Sequence, residues 1–164
     1  MKVLFTKSNL PLSKWIRGIT HEPVSHVALE FPEFGIVIQS NLLGVGIVWA
    51  DYFRKHETVV YELQKNTDDP KDKECITEFL DKNYGSWYDF GALIFAGLCI
   101  GLKRLLPFLP MPKKNLWHAS GTFTCTEFVS DEIFDHEETM ITPYQLYHQL
   151  QATDKWTTDK WTTV

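Results

Sequence analysis

The chain has 164 residues, 44% hydrophobic and 23% charged, with a formal net charge of -5 at pH 7. That is enough for one domain with a hydrophobic core, and it excludes a disordered chain. It also speaks against nucleic acid as partner, which needs clustered Lys and Arg. Three cysteines at 75, 99 and 125 without a C-x-x-C fit neither a disulfide framework nor a thiolate zinc site, and no cofactor motif is present. The opening MKVLFTKSNLPLSKW lacks the apolar core of a signal peptide, so the expected setting is reducing and cytoplasmic.

Taken in chain order, Lys2–Thr6 reads as a strand and 11–18 as a short helix or turn with Leu12, Trp15 and Ile16 on one side. In 24–31, VSHVALEF, strict alternation puts Val27, Leu29 and Phe31 on one face and His26, Ala28 and Glu30 on the other, the pattern of a half-buried strand. A turn at Pro32–Gly35 leads into the strand IVIQS at 36–40, so the two form a hairpin. Strands at 45–49 and 58–63 follow. The pattern then turns helical. Asp69-Pro70 marks a helix start, with Cys75, Ile76, Phe79 and Leu80 as its apolar stripe. Ser86 and Asp89 signal a second cap, followed by FGALIFAGLCIGL at 90–102, the basic pair Lys103-Arg104 and a proline-rich exit. Thirteen uncharged residues are too few to span a bilayer. The favoured reading is a buried core helix; the alternative is an apolar lid or membrane-facing helix with the basic pair at headgroup level. A last short helix is expected from about Pro143. Residues 1–150 form a single domain in this reading. The tail 151–164, with TDKWT at 153–157 repeated at 158–162, is read as polar and mobile.

The chemistry concentrates in TFTCTEFVSDEIF, 122–134. Thr124 and Glu127 make the capping-box pattern T-x-x-E ahead of Phe128, Val129, Ile133 and Phe134, which sets Cys125 as the first helical residue. Free amide N–H groups and the helix dipole favour a thiolate there. The bland alternative is a small apolar core residue, the commoner fate of a free cysteine. His26 is the natural base, although a lone strand histidine is more often a surface or satisfied group; paired with Cys125 it would supply the minimum for a thiol nucleophile. Gln39 on the next strand offers an amide oxygen to orient the ring, with Glu30 the weaker candidate. His118 is a fallback base, though the favoured reading is a loop residue beside the pocket. His21, His26 and His118 lack metal-ligand spacing, and no metal is expected.

SHVALEF, IVIQS and TCTEFV in this order resemble the circularly permuted branch of the NlpC-type papain-like superfamily. The nearest likeness is to YiiX-like proteins, with lecithin:retinol acyltransferase-like proteins more distant. IRGITHEPVSHVAL, YGSWYDFGALIFAGL and ITPYQL carry weaker likenesses, and the whole covers roughly residues 2–147. The resemblance implies an α+β fold, an antiparallel sheet packed against helices with the His strand before the Cys helix. It implies Cys125 as nucleophile, His26 as base and Gln39 as orienter, at a position that in such families is often Glu, His or Asn. The implied function is a cysteine hydrolase cleaving an amide in a peptide or cell-wall fragment, with the Cys125 N–H in the oxyanion site. The alternatives are a lipid-directed thiol acyltransferase or esterase, and a catalytically inactive binding domain. The implied partner is a peptide-like or acyl substrate; membrane contact is not favoured.

Overall fold

A computed structural model of the chain describes residues 1–66, 76–77, 81–110, 112, 115–134 and 141–158. The fold is mixed α+β. Its centre is a six-stranded antiparallel sheet in the order β4-β3-β2-β1-β5-β8. The strands are β1 (Lys2–Lys7), β2 (His26–Phe31), β3 (Ile36–Asn41), β4 (Gly44–Trp49), β5 (Thr58–Lys65) and β8 (Trp156–Thr158). Two short strands, β6 (Trp87–Tyr88) and β7 (Thr122–Phe123), pair in parallel beside it. The helices are α1 (Pro11–Thr20), α2 (Ala50–His56), α3 (Phe90–Leu105), α4 (Cys125–Phe134) and α5 (Pro143–Gln151).

The alternation in β2 separates the two faces of the sheet as expected. Val27, Leu29 and Phe31 share one face with Val3, Phe5 and Ile38, and pack on Phe128 and Val129 of α4 and on Leu146 and Leu150 of α5. Ala28 lies on the other face with Leu4 and Val37, under Phe53 of α2. The turn between β2 and β3 closes at Gly35, whose φ of 63° is a left-handed conformation that glycine adopts without strain.

Three expectations differ from the structure. The 90–102 segment does form a helix, but not a buried core one. Of α3 only Ala92 is fully buried, and Phe90, Ile94, Leu98, Leu102 and Leu105 are exposed. Hydrophobic sequence alone implies burial, but α3 packs on α1 along one flank and on the 115–117 segment near its start, and its outer stripe stays exposed. The 151–164 segment is not all tail. Trp156 is only 7% exposed, and β8 pairs with β5 through Leu63↔Thr158 and Lys65↔Trp156, so the first TDKWT copy enters the sheet. A single tryptophan filling an edge site outweighs the polar composition around it. The second copy lies outside the described residues from 159 on, as does most of the helix expected from Asp69, of which Ile76 joins the core. Helix α2 was not anticipated at all.

Candidate active site

Helix α4 starts where the T-x-x-E pattern places it. Thr124 N–H donates to Glu127 Oε2 at 2.8 Å, and Glu127 N–H donates to Thr124 Oγ1 at 3.3 Å, a complete capping box with Cys125 as the first helical residue. The loop before it is held at several points. Ser40 Oγ of β3 donates to the Phe123 carbonyl at 2.8 Å. Asp89 caps α3 through Ala92 N–H at 2.7 Å, and its other oxygen accepts Ala119 N–H and Thr122 Oγ1–H, each at 2.9 Å.

His26 and Gln39 come together. The ring Nε2 lies 2.9 Å from Gln39 Oε1, so Nε2 is the protonated nitrogen and Nδ1 is left to accept. The β2–β3 register, Leu29↔Ile38 and Phe31↔Ile36, continues to set Gln39 diagonally opposite His26 on the same face. Glu30 is engaged elsewhere: it is buried and takes two guanidinium N–H donors from Arg54, one at 2.9 Å. Between the two candidates for orienting the imidazole, the contact is to Gln39.

Cys125 is 6% exposed and sits on the opposite face of the sheet from His26, against Val27. The backbone N–H groups of Val27, Thr126 and Cys125 itself point at its sulfur. The imidazole lies on the α2 side of the sheet, its ring centroid 6.4 Å from that of Phe53. Among the described residues no hydrogen bond joins the thiol and the imidazole; the thiol's contact is to the amide of Val27, next in sequence to His26.

The electrostatics run against a resting ion pair. Burial pushes the Cys125 thiol up to about 11, outweighing its three amide donors, and the Glu127 carboxylate of the capping box adds to the rise. The expectation that the helix start favours a thiolate is corrected here: the amides do favour it, but desolvation and the box's own carboxylate prevail. Burial brings His26 down to about 4, only partly opposed by Gln39. At neutral pH the two groups are therefore a thiol and a neutral imidazole. That imidazole can accept a proton without first losing one.

Two cavities meet at this point. One, of about 300 Å³, is bounded by Ser8, Leu12, His26, Gln39, Phe53 and Glu57. The other, of about 70 Å³, runs from Cys125 between α1 and α3 along Ile16, Ile19, Leu93, Ala96 and Ile100. Ser25 and Tyr88 form part of the wall of both. Tyr88 is buried, and desolvation holds its phenol above the ordinary range. The sequence reading assigned it no role; its only signal there was the YGSWYDFG likeness. His118 stands off to one side with Nδ1 3.0 Å from Asp89 Oδ2 and 3.7 Å from Glu127 Oε1. Asp89, His118 and Glu127 form the one group of potential metal donors among the described residues; His21 and His26 are not part of it. Each of its carboxylates already has a structural task, one capping α3 and the other closing the capping box. Cys99 is half-buried on α3. The chain matches no family model, and no curated protein is significantly similar to it.

Proposed function

We propose that the chain is a thiol hydrolase of the permuted papain-like kind, in which Cys125 attacks the carbonyl of an amide with His26 as base and Gln39 as orienter. The observation that carries this reading is the His26 Nε2–Gln39 Oε1 hydrogen bond of 2.9 Å. It fixes the tautomer and leaves the basic nitrogen free, on the residue next to the amide that meets the Cys125 sulfur. Because the resting pair is neutral, the proton leaves sulfur as the S–C bond forms. Nδ1 takes it and passes it to the leaving amine as the C–N bond breaks. Water, deprotonated by the same nitrogen, then cleaves the thioester to acid and thiol. The Val27, Thr126 and Cys125 N–H groups supply donors at the reacting centre. Catalysis by this pair requires Nδ1 and Sγ to approach one another in the substrate complex, from the separate cavities that His26 and Cys125 line in the free chain.

A lipid-directed thiol esterase or acyltransferase is the second reading. The cavity leading from Cys125 is lined by Ile16, Ile19, Leu93, Ala96 and Ile100, and an acyl chain suits it better than a polar peptide.

The test is acyl-enzyme trapping. The native protein is incubated with aminoacyl anilides and with nitrophenyl esters of short and long acids, quenched in acid, and read by peptide mass spectrometry. The expected result is a thioester on Cys125, absent in Cys125→Ala and formed at least about a hundredfold more slowly in His26→Ala. Preference for anilides supports the amidase, and a steep gain with ester chain length supports the lipid reading. No adduct from either series would leave a catalytically inactive binding domain as the reading.

A further inference from the structure

Helix α3 has two sides with different fates. Leu93, Ala96 and Ile100 face the cavity and α1, and at Gly97 an added Cβ would meet the Trp15 ring at 3.1 Å, so α1 and α3 lie close together. On the other side Phe90, Ile94, Leu98, Leu102 and Leu105 recur at four- and three-residue spacing, one continuous stripe. Leu98 is 52% exposed, Leu105 79% and Phe108, just beyond, 78%. Tyr84, Trp87, Leu116 and Trp117, from the segments entering and leaving this region, are exposed as well. Scattered exposed apolar residues mean little, but a contiguous patch of this kind marks an interaction surface.

The charge pattern says what covers it. Between Tyr84 and Trp117 the sequence holds four bases, Lys103, Arg104, Lys113 and Lys114, and one acid, Asp89, which is buried. The rest of the chain carries the excess of acids that brings the net charge to -5. Lys103 and Arg104 are exposed in the last turn of α3. A second copy of the same face would set bases against bases, with only the partly buried Glu22 near Arg104 to answer them, which disfavours a symmetric dimer. An acidic surface of lipid headgroups answers the bases, and the acyl region beneath it takes the stripe. Exposed tryptophans and a tyrosine at the margins suit the headgroup boundary. Sixteen residues make a helix about 24 Å long, shorter than the hydrocarbon core. No described helix is long and apolar enough to cross a membrane. The geometry is that of a helix lying in the interface.

We propose that the exposed face of α3, with Lys103, Arg104 and the flanking Trp87 and Trp117, is a docking surface for an anionic lipid bilayer. This goes beyond the hydrolase reading and does not depend on it. The probe is a set of vesicles, phosphatidylcholine alone or with about three parts in ten phosphatidylglycerol, enough to give a negative surface potential. The full chain is sedimented with them, and its tryptophan emission is recorded. Binding to the anionic vesicles with a blue shift is expected, and weaker binding to the neutral ones. Replacing both bases, Lys103→Gln with Arg104→Gln, should weaken anionic binding about thirtyfold, since each base near such a surface is worth about 1 kcal/mol. Ile94→Asp with Leu98→Asp should abolish binding while leaving the circular dichroism and urea midpoint nearly unchanged, because both side chains are about half exposed. Cys125→Ala should sediment as the wild type does, so loss of hydrolysis and loss of docking are read separately. Wild type that stays in the supernatant with both vesicles overturns the proposal. So does an Ile94/Leu98 variant that still binds, or a wild-type dimer in sedimentation velocity that this variant splits.

Discussion

Acidification loads a proton onto His26 in the unfolded chain well before it does so in the fold. The ring titrates near 6.5 when solvated and is brought down to about 4 by burial on the α2 side of β2. Between those values the unfolded state holds the extra proton and the native state does not, so stability rises with pH and is lost as pH falls through this window. Above pH 6.5 both states are neutral and the effect vanishes. Full desolvation over that interval corresponds to about 3 kcal/mol, and the ring's partial exposure trims this to about 2–3 kcal/mol. His26→Gln keeps a polar group beside Gln39 and removes the titration. Urea unfolding followed by tryptophan fluorescence at successive pH values gives the curve for each protein. Their difference isolates His26 from Glu22 and Glu57, two carboxyls whose pKa burial raises. The expected difference is flat above neutrality and grows in favour of His26→Gln as the pH approaches 4. A difference that stays flat throughout would mean a solvated imidazole, and the account of a neutral resting base would fail.

Two further outcomes follow from single side chains. Glu127→Gln keeps an oxygen for Thr124 N–H but removes the carboxylate that helps hold the Cys125 thiol up. Iodoacetamide alkylation of Cys125 at mildly alkaline pH should quicken by about three- to tenfold while Cys99 is unaffected, read by mass spectrometry. Trp156→Ala leaves a void at the edge of the sheet and should cost about 3 kcal/mol in urea unfolding; a change of a few tenths would return the first TDKWT copy to the status of a loose tail.

What the sequence disclosed was whatever is encoded locally. The α4 cap needs only Thr124 and Glu127, three residues apart, and strand β2 needs only its alternation, so Cys125, His26 and Gln39 were all assigned from short motifs. What stayed hidden depends on the surroundings. Helix α2 buries only Phe53, too little to make a stripe. Strand β8 rests on one tryptophan in a polar setting. The burial of Cys125, which reverses the expected direction of its proton affinity, is a property of everything packed around it. The exposure of α3 was hidden for the same reason: an apolar segment records an affinity for oily surroundings, not whether the protein itself supplies them.

Asp89 ties these parts into a single lever. One carboxylate caps the first turn of α3 and, through Ala119 and Thr122, grips the strand that delivers Cys125. The helix and the thiol's approach are thus jointed at a single buried side chain. A load placed on the outer face of α3 has a short mechanical route through Asp89 to Cys125.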